Sequence, residues 1–172
     1  MNSYLIRPLQ FEDSPSSAEI QVETWHDTYT SLMPERNLAS MTLEIMVPRW
    51  QKIIQENKRN LLLLGAFEGT QLLGVAAGGE PREINGYDAE LWSMNIPLKN
   101  QRRGLGRLLF NQTVKELSKQ GYKSMYLYCI DGNRGALDFY HAMGAVVTNH
   151  LVERDGYSEL LVIWDNLKHS SI

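Results

Sequence analysis

Cysteine is nearly absent from this chain. Cys129 is the one thiol in 172 residues, so no internal disulfide can form, and a reducing cytoplasm is the expected setting. No segment reads as a signal peptide, and the apolar run Leu61 to Leu64 is far too short to cross a bilayer. A membrane partner is therefore not expected. The histidines, His26, His141, His150 and His169, have neither paired spacing nor cysteine companions, so no metal site is predicted. Cys129 reads as a buried strand residue rather than a nucleophile, with no partner histidine indicated, and no serine sits in a nucleophile elbow. Positive charge is not in surplus either: the net charge of −3 argues against a general nucleic-acid surface and leaves only a local basic patch at Arg102, Arg103 and Arg107. Internal repeats, linkers and low-complexity stretches are also missing. Residues 1–172 therefore read as a single domain, long enough to bury about 70% of its unfolded surface. The hydrophobic content of 43% and charged content of 22% are those of an ordinary globular protein.

What is present centres on the stretch from Glu90 to Leu109. An apolar-rich run, Glu90-Leu91-Trp92-Ser93-Met94-Asn95-Ile96, stops at Pro97. The loop Gln101-Arg102-Arg103-Gly104-Leu105-Gly106 follows, and then a segment with helical spacing begins. Glycines at a strand-loop-helix turn leave backbone N–H groups unpaired beside the positive end of the helix dipole. With no Cβ in the way, a phosphate can come close. Two familiar phosphate loops are excluded by spacing. Arg107 and Leu108 stand where a Walker loop needs Lys and Ser/Thr, and Leu109 stands where a dinucleotide fingerprint needs its third glycine.

Along the rest of the chain, Tyr4 to Arg7 reads as a first strand closed by Pro8. Ser14 to Ser17 offer caps for a helix from about Ala18 to Thr30, and Pro34 breaks the pattern. A second helix follows a Thr42 cap, with Leu43, Met46, Val47, Trp50, Ile53 and Ile54 at helical intervals and Pro48 expected to kink it or mark its start. Asn60 to Phe67 and Gln71 to Ala77 suit a hairpin around Glu68-Gly69-Thr70, ahead of a polar stretch over residues 80–88. After the Glu90 strand come a helix from Gly104 to Lys119, a strand from Ser124 to Ile130, a helix from Gly135 to Met143, and strands over Ala145 to Val152 and Tyr157 to Trp164. That order predicts an α+β, or mixed α/β, domain with a central, largely antiparallel sheet.

The QxxGxG pattern at Gln101 to Gly106 resembles the loop of the GCN5-related N-acetyltransferases (GNAT), which holds the pyrophosphate of acetyl-CoA. Asn133-Arg134-Gly135-Ala136-Leu137-Asp138-Phe139-Tyr140-His141-Ala142-Met143-Gly144 is similar to the family's second motif, NxxAxxFYxxxG. A softer match runs from Glu23 to Tyr29 with Leu32-Met33-Pro34, similar to the first helix of many bacterial members. The resemblance implies a twisted, mostly antiparallel sheet flanked by helices. It also implies a splay between the Glu90 and Ser124 strands that takes the pantetheine arm, and direct transfer of acetyl from acetyl-CoA to an amine.

Three chemical needs then fall on named residues. A primary amine is mostly protonated at neutral pH, so a base must act. Glu90 stands at the offset from Gln101 at which histone-type members carry their catalytic glutamate, and it would act through a water; its plainer reading is a solvated carboxylate at a strand start. The developing oxyanion needs an N–H donor, worth about 3 kcal/mol, which the resemblance assigns to the backbone of Met94, Asn95 and Ile96. The departing thiolate needs a proton, and Tyr140 matches the tyrosine of the family's FY pair, beside Phe139; without the motif it would read as a core aromatic. Asn133 is both a helix-cap candidate and the match to the asparagine that contacts the CoA arm, and Ala136 belongs to the same motif. The set for acetyl-CoA is completed by Gln101, Arg102, Arg103, Gly104, Leu105, Gly106 and Arg107, the arginines being either phosphate contacts or a solvated face. Two residues depart from the family's usual pattern: Asn95 stands where an aromatic residue is common, and Ala145 where Phe usually follows the glycine.

The resemblance places the acceptor against the first two helices, where Trp25, Tyr29 and Trp50 are candidates for contact or for simple packing. Acids at Glu23, Asp27, Glu35 and Glu44 lean toward a cationic acceptor such as a polyamine. The expected acceptor is a small-molecule primary amine. The alternatives are a protein or peptide N-acetyltransferase and a non-catalytic acyl-CoA sensor. Family members are often dimers, which allows a homodimer here.

Overall fold

The computed structural model describes residues 4–56 and 61–167. Its elements run in the order β1 (Tyr4–Pro8), α1 (Ser14–Tyr29), α2 (Glu35–Leu38), α3 (Leu43–Glu56), β2 (Leu62–Glu68), β3 (Gln71–Gly79), β4 (Ala89–Asn95), α4 (Leu105–Lys119), β5 (Met125–Ile130), α5 (Arg134–Ala142), β6 (Val146–Glu153) and β7 (Ser158–Trp164). The predicted helices and strands all form, with shifted ends. α1 starts at Ser14 rather than Ala18 because Asp13 is its N-cap residue and Pro15 fits a first helical turn, so the serines lie inside the helix. Pro48 neither starts nor ends α3, which runs through it. The short α2 after Pro34 was not foreseen, and Asn60 and His169 lie outside the described residues.

The strands form one sheet in the order β1-β2-β3-β4-β5-β7-β6. Every neighbouring pair is antiparallel except β4 and β5. One face is covered by α4 and α5: Leu105, Leu109, Phe110, Val114, Leu117 and Tyr140 pack on Leu64, Leu73, Ala76, Leu91, Met125 and Leu127. On the other face α1 and α3 lay Ala18, Ile20, Met46 and Trp50 against Phe67 and Val75. Each such large apolar side chain, fully buried, contributes about 1.5–3 kcal/mol relative to exposure. No helix among the described residues is long and apolar enough to cross a membrane.

Two irregularities of β4 set up the site. Ala77 pairs with Ser93 but Gly78 pairs with Leu91, so Trp92 is an extra, bulged residue. The parallel ladder with β5 has only two pairs, Ala89 with Met125 and Glu90 with Tyr126. Beyond Glu90 the strands part, which is the splay that the family resemblance implies. Cross-strand partners share a face, so Asn95, opposite Val75, faces α1, while Met94, opposite Ala76, faces α4.

Candidate active site

The phosphate loop is fastened at its start by two side chains. Asn100, buried, donates from Nδ2 to the Leu73 carbonyl at 3.1 Å, and Gln101 Nε2 donates to the Ile96 carbonyl at 2.8 Å. Arg102 (φ 59°) and Gly104 (φ 80°) take left-handed conformations that turn the chain into α4. No side chain caps the α4 N-terminus, so its first N–H groups and dipole are left for an anion. A Cβ on Gly104 would meet nothing within 4 Å, which leaves room beside those donors. These features fit a pyrophosphate. Gly106 has another reason to be glycine: a Cβ there would lie 3.3 Å from the Phe139 ring and 3.5 Å from Ile96 Cδ1. Its small size also lets Ile96 and Phe139 close on α4.

Where β4 and β5 part, a cavity of ≈ 1070 Å³ opens. Met94, Asn95, Ile96, Gln101, Arg102, Gly104, Gly106 and Arg107 line it from the loop side, and Asn133, Ala136, Phe139 and Tyr140 from α5. Two of the predicted residues turn away. Arg103 pairs with Glu68 at 3.0 Å and lies over the Tyr4 ring, and Leu105 is buried in the core, leaving only its backbone to the loop.

Tyr140 stands edge-on to Phe139 and Trp164 and is 7% exposed. Burial, with Cys129 and Tyr29 nearby, pushes its phenol up, so the proton stays on at working pH. Asn133 is the helix cap: its side chain accepts the Ala136 N–H at 3.3 Å, and the residue also lines the cavity. Cys129 is buried, and its thiol is pushed up to about 12 by burial and by Glu159 and Asp131. It is therefore a neutral wall group, not a nucleophile.

Glu90 is not the solvated carboxylate that a strand start suggests: it is 2% exposed. Its Oε2 accepts the Arg82 backbone N–H at 2.8 Å and the Tyr126 hydroxyl at 3.0 Å, and its Oε1 accepts the Arg82 guanidinium, with Nε at 3.0 Å. Arg82, 59% exposed in its side chain, also lies over Trp92. Next to it Glu83 accepts the Tyr128 hydroxyl at 3.1 Å and lies 3.7 Å from Arg154, which pairs with Glu159 at 2.7 Å. All these residues except Tyr126 line the cavity. The polar stretch at 80–88 carried no sequence signal for this, because its role comes from folding back over β4 and β5. The alternation of Tyr126 and Tyr128 with the core residues Met125, Leu127 and Cys129 was the one available hint.

The acceptor-side candidates divide. Trp25 and Tyr29 line the cavity, whereas Trp50 is core, its Nε1 donating to Gln21 at 2.8 Å. None of Glu23, Asp27, Glu35 and Glu44 lines the cavity, and Glu23 pairs instead with Lys99 at 2.8 Å. A cationic acceptor cannot be argued from them. Among the described residues no group of three or more His, Cys, Asp or Glu gathers as metal ligands would.

The fold has close counterparts. PaiA N-acetyltransferase from Thermoplasma acidophilum, solved with coenzyme A, superposes with a TM-score of 0.73 at 24% identity, covering 93% of this chain and 98% of its own. YncA from Salmonella typhimurium, solved with acetyl-CoA, gives 0.72 at 18% identity, covering 96% and 94%. In sequence, the uncharacterized N-acetyltransferase YuaI of Bacillus subtilis (strain 168) is 29% identical over 142 residues, which is 80% of this chain and 77% of YuaI. The model of the Acetyltransferase (GNAT) family matches residues 20–145. With both motifs, the splayed strands and the uncapped loop in place, the chain belongs to the GNAT family and is an acetyl-CoA-dependent N-acetyltransferase.

Proposed function

We propose that this enzyme transfers acetyl directly from acetyl-CoA to the primary amine of a small molecule. One observation carries the reading. The β4–β5 ladder stops at Glu90–Tyr126, and the cavity opened there has the phosphate loop at one end and both Glu90 and Tyr140 on its walls. Arg102, Arg107 and the N–H groups of the loop hold the phosphates. Backbone N–H groups of Met94 to Ile96 stabilise the oxyanion. Tyr140 gives its proton to the departing thiolate.

Glu90 is the proposed base. Oε2 is held by backbone and by Tyr126, so Oε1 is the atom that takes the proton, through a water, once the Arg82 guanidinium yields its place. The exposure of Arg82 supports that exchange. At the acceptor end Glu83, Glu90 and Glu159 stand with Arg82 and Arg154 among Trp25, Tyr29, Tyr128 and Tyr157, an excess of carboxylate beside aromatic faces that favours an ammonium.

A small acceptor is supported by the β6–β7 turn. Asp155 binds Arg36 of α2 through two hydrogen bonds of 3.0 and 2.8 Å, and Gly156 packs on Pro34. That contact ties the turn to α2 next to Arg154 and Tyr157 of the cavity wall, and a wall fixed in this way suits a small acceptor. A cytoplasmic setting is part of the proposal, supported by the single buried thiol. The test is product analysis by mass spectrometry with free amines and with peptides bearing N-terminal or lysine amines. Acetylated free amines are expected; acetylated peptides alone would replace this reading with a protein acetyltransferase, and acetyl-CoA binding with neither product would make the chain a sensor.

A further inference from the structure

Among the described residues most buried polar side chains are satisfied by their neighbours, Ser17, away from the cavity, being one that is not. Thr113, on α4, donates to the Leu109 carbonyl at 2.8 Å, as helix threonines commonly do, and Asn100 reaches the Leu73 carbonyl. Thr24 and Asn95 break that habit. Thr24 is 9% exposed and Asn95 4%, and neither Thr24 Oγ1 nor Asn95 Nδ2 has a hydrogen-bond partner. Among the described residues they are the two such orphaned side chains that line the active-site cavity.

They also lie on one side of the sheet. Asn95 pairs with Val75, whose side chain packs with Ala18 and Ile20 of α1, and Thr24 is one turn further along that helix. The loop arginines Arg102 and Arg107 and the donor-side Tyr140 belong to the α4–α5 side. Both atoms are closed off from solvent, so each side chain turns to present its donor to the cavity, the amide about its last torsion and the threonine about χ1; left unpaired, each costs about 1–3 kcal/mol. Both atoms donate. What they lack is an oxygen acceptor. The charged groups of the acceptor wall, Glu83, Glu90 and Glu159 against Arg82 and Arg154, already leave an excess of carboxylate, which disfavours a further carboxylate on the ligand.

We propose that Thr24 and Asn95 form a hydrogen-bonding subsite for a neutral oxygen, a hydroxyl or an amide carbonyl, carried by the amine acceptor. This deepens the small-amine reading and rests on it. The acceptor is thus an amino alcohol or amino amide rather than a plain alkylamine or polyamine. Asn95, where relatives commonly have an aromatic residue, is the position that sets this specificity.

The experiment measures kcat/KM for acetylation of ω-amino alcohols and ω-amino amides, in a length series, against alkylamines and ω-amino acids of matched size. The enzymes compared are the wild type, Asn95→Leu and Thr24→Val, with KM for acetyl-CoA followed in parallel and folding checked by thermal melting. The wild type is expected to favour one length of oxygen-bearing amine by about tenfold or more, the scale of one buried hydrogen bond left unmade. Each variant should collapse that ratio, and Thr24→Ser should restore it. Equal turnover of alkylamines, a preference for the ω-amino acids, a ratio that survives both variants, or an effect of Asn95→Leu on the KM for acetyl-CoA alone would overturn the subsite. Should Asn95→Leu fail to fold, the Thr24→Val and Thr24→Ser pair decides. Failure of the small-amine reading itself looks different: no free amine of any kind would be acetylated.

Discussion

At the scale of single residues the chemistry depends on how burial treats each polar group. Cys129 is held as a thiol because burial lifts it to about 12, so at pH 8 it should resist a thiol-specific reagent in the native enzyme and react fully on unfolding. Rapid native labelling would show that the wall of the cavity opens. Glu90 is the more telling case. The sequence offered two readings, a catalytic glutamate by resemblance and a solvated strand-start carboxylate; the fold buries it and supplies its hydrogen bonds from Arg82 and Tyr126, neither of which sequence spacing could connect to it. Glu90→Gln keeps the shape and removes the proton acceptor. Turnover should fall by about 100-fold, the usual share of a general base, with acetyl-CoA affinity unchanged in calorimetry. An unaltered kcat would leave Glu90 as a structural partner of Arg82 and nothing more.

At the scale of elements, helix and strand identity was readable because periodicity and turn residues act locally. The β2–β3 hairpin, α4 and α5 form where the pattern puts them. Two things were beyond local signals. One is the insertion of β7 between β5 and β6; the other is the folding of residues 80–88 over the site, which depends on contacts distant in sequence such as Glu83 with Tyr128 and Arg154. The loop into α4 makes its own prediction. Gly104, at φ 80°, sits in a conformation that costs a β-branched residue about 1–2 kcal/mol. Gly104→Val should therefore lower the melting temperature and raise the KM for acetyl-CoA several-fold, while leaving kcat at saturation largely intact. A lowered kcat with unchanged KM would move the loop's role from binding to chemistry.

At the scale of the whole molecule, helices cover both faces of the sheet, and β4 and β5 separate beyond Glu90 to open the cavity through which, in the proposed reaction, the acetyl group passes. Stability over pH follows from ion pairs that tie the first strand to the first helix. Burial works against ionised Asp13, but hydrogen bonds from Arg7 at 2.7 Å and from the Gln10 N–H hold its carboxyl below the usual range. A depressed carboxyl contributes stability that is fully present above its unfolded pKa of about 3.9 and is lost as pH falls through the lower folded value. Asp13→Asn should thus reduce the melting temperature at pH 7 and make little difference in strong acid, whereas an equal loss at both would assign Asp13 a purely structural role.

The central claim is that acetyl passes directly to a small amine within the gap, with Tyr140 protonating the thiolate. The most direct test is amine-dependent release of the CoA thiol by the wild type and by Tyr140→Phe, alongside calorimetric binding of acetyl-CoA to each. The account predicts release that depends on the amine, a drop in kcat of about 100-fold in the variant, and matching acetyl-CoA affinities. Full turnover by Tyr140→Phe, or acetyl-CoA binding with no amine-dependent release in the wild type, would contradict it.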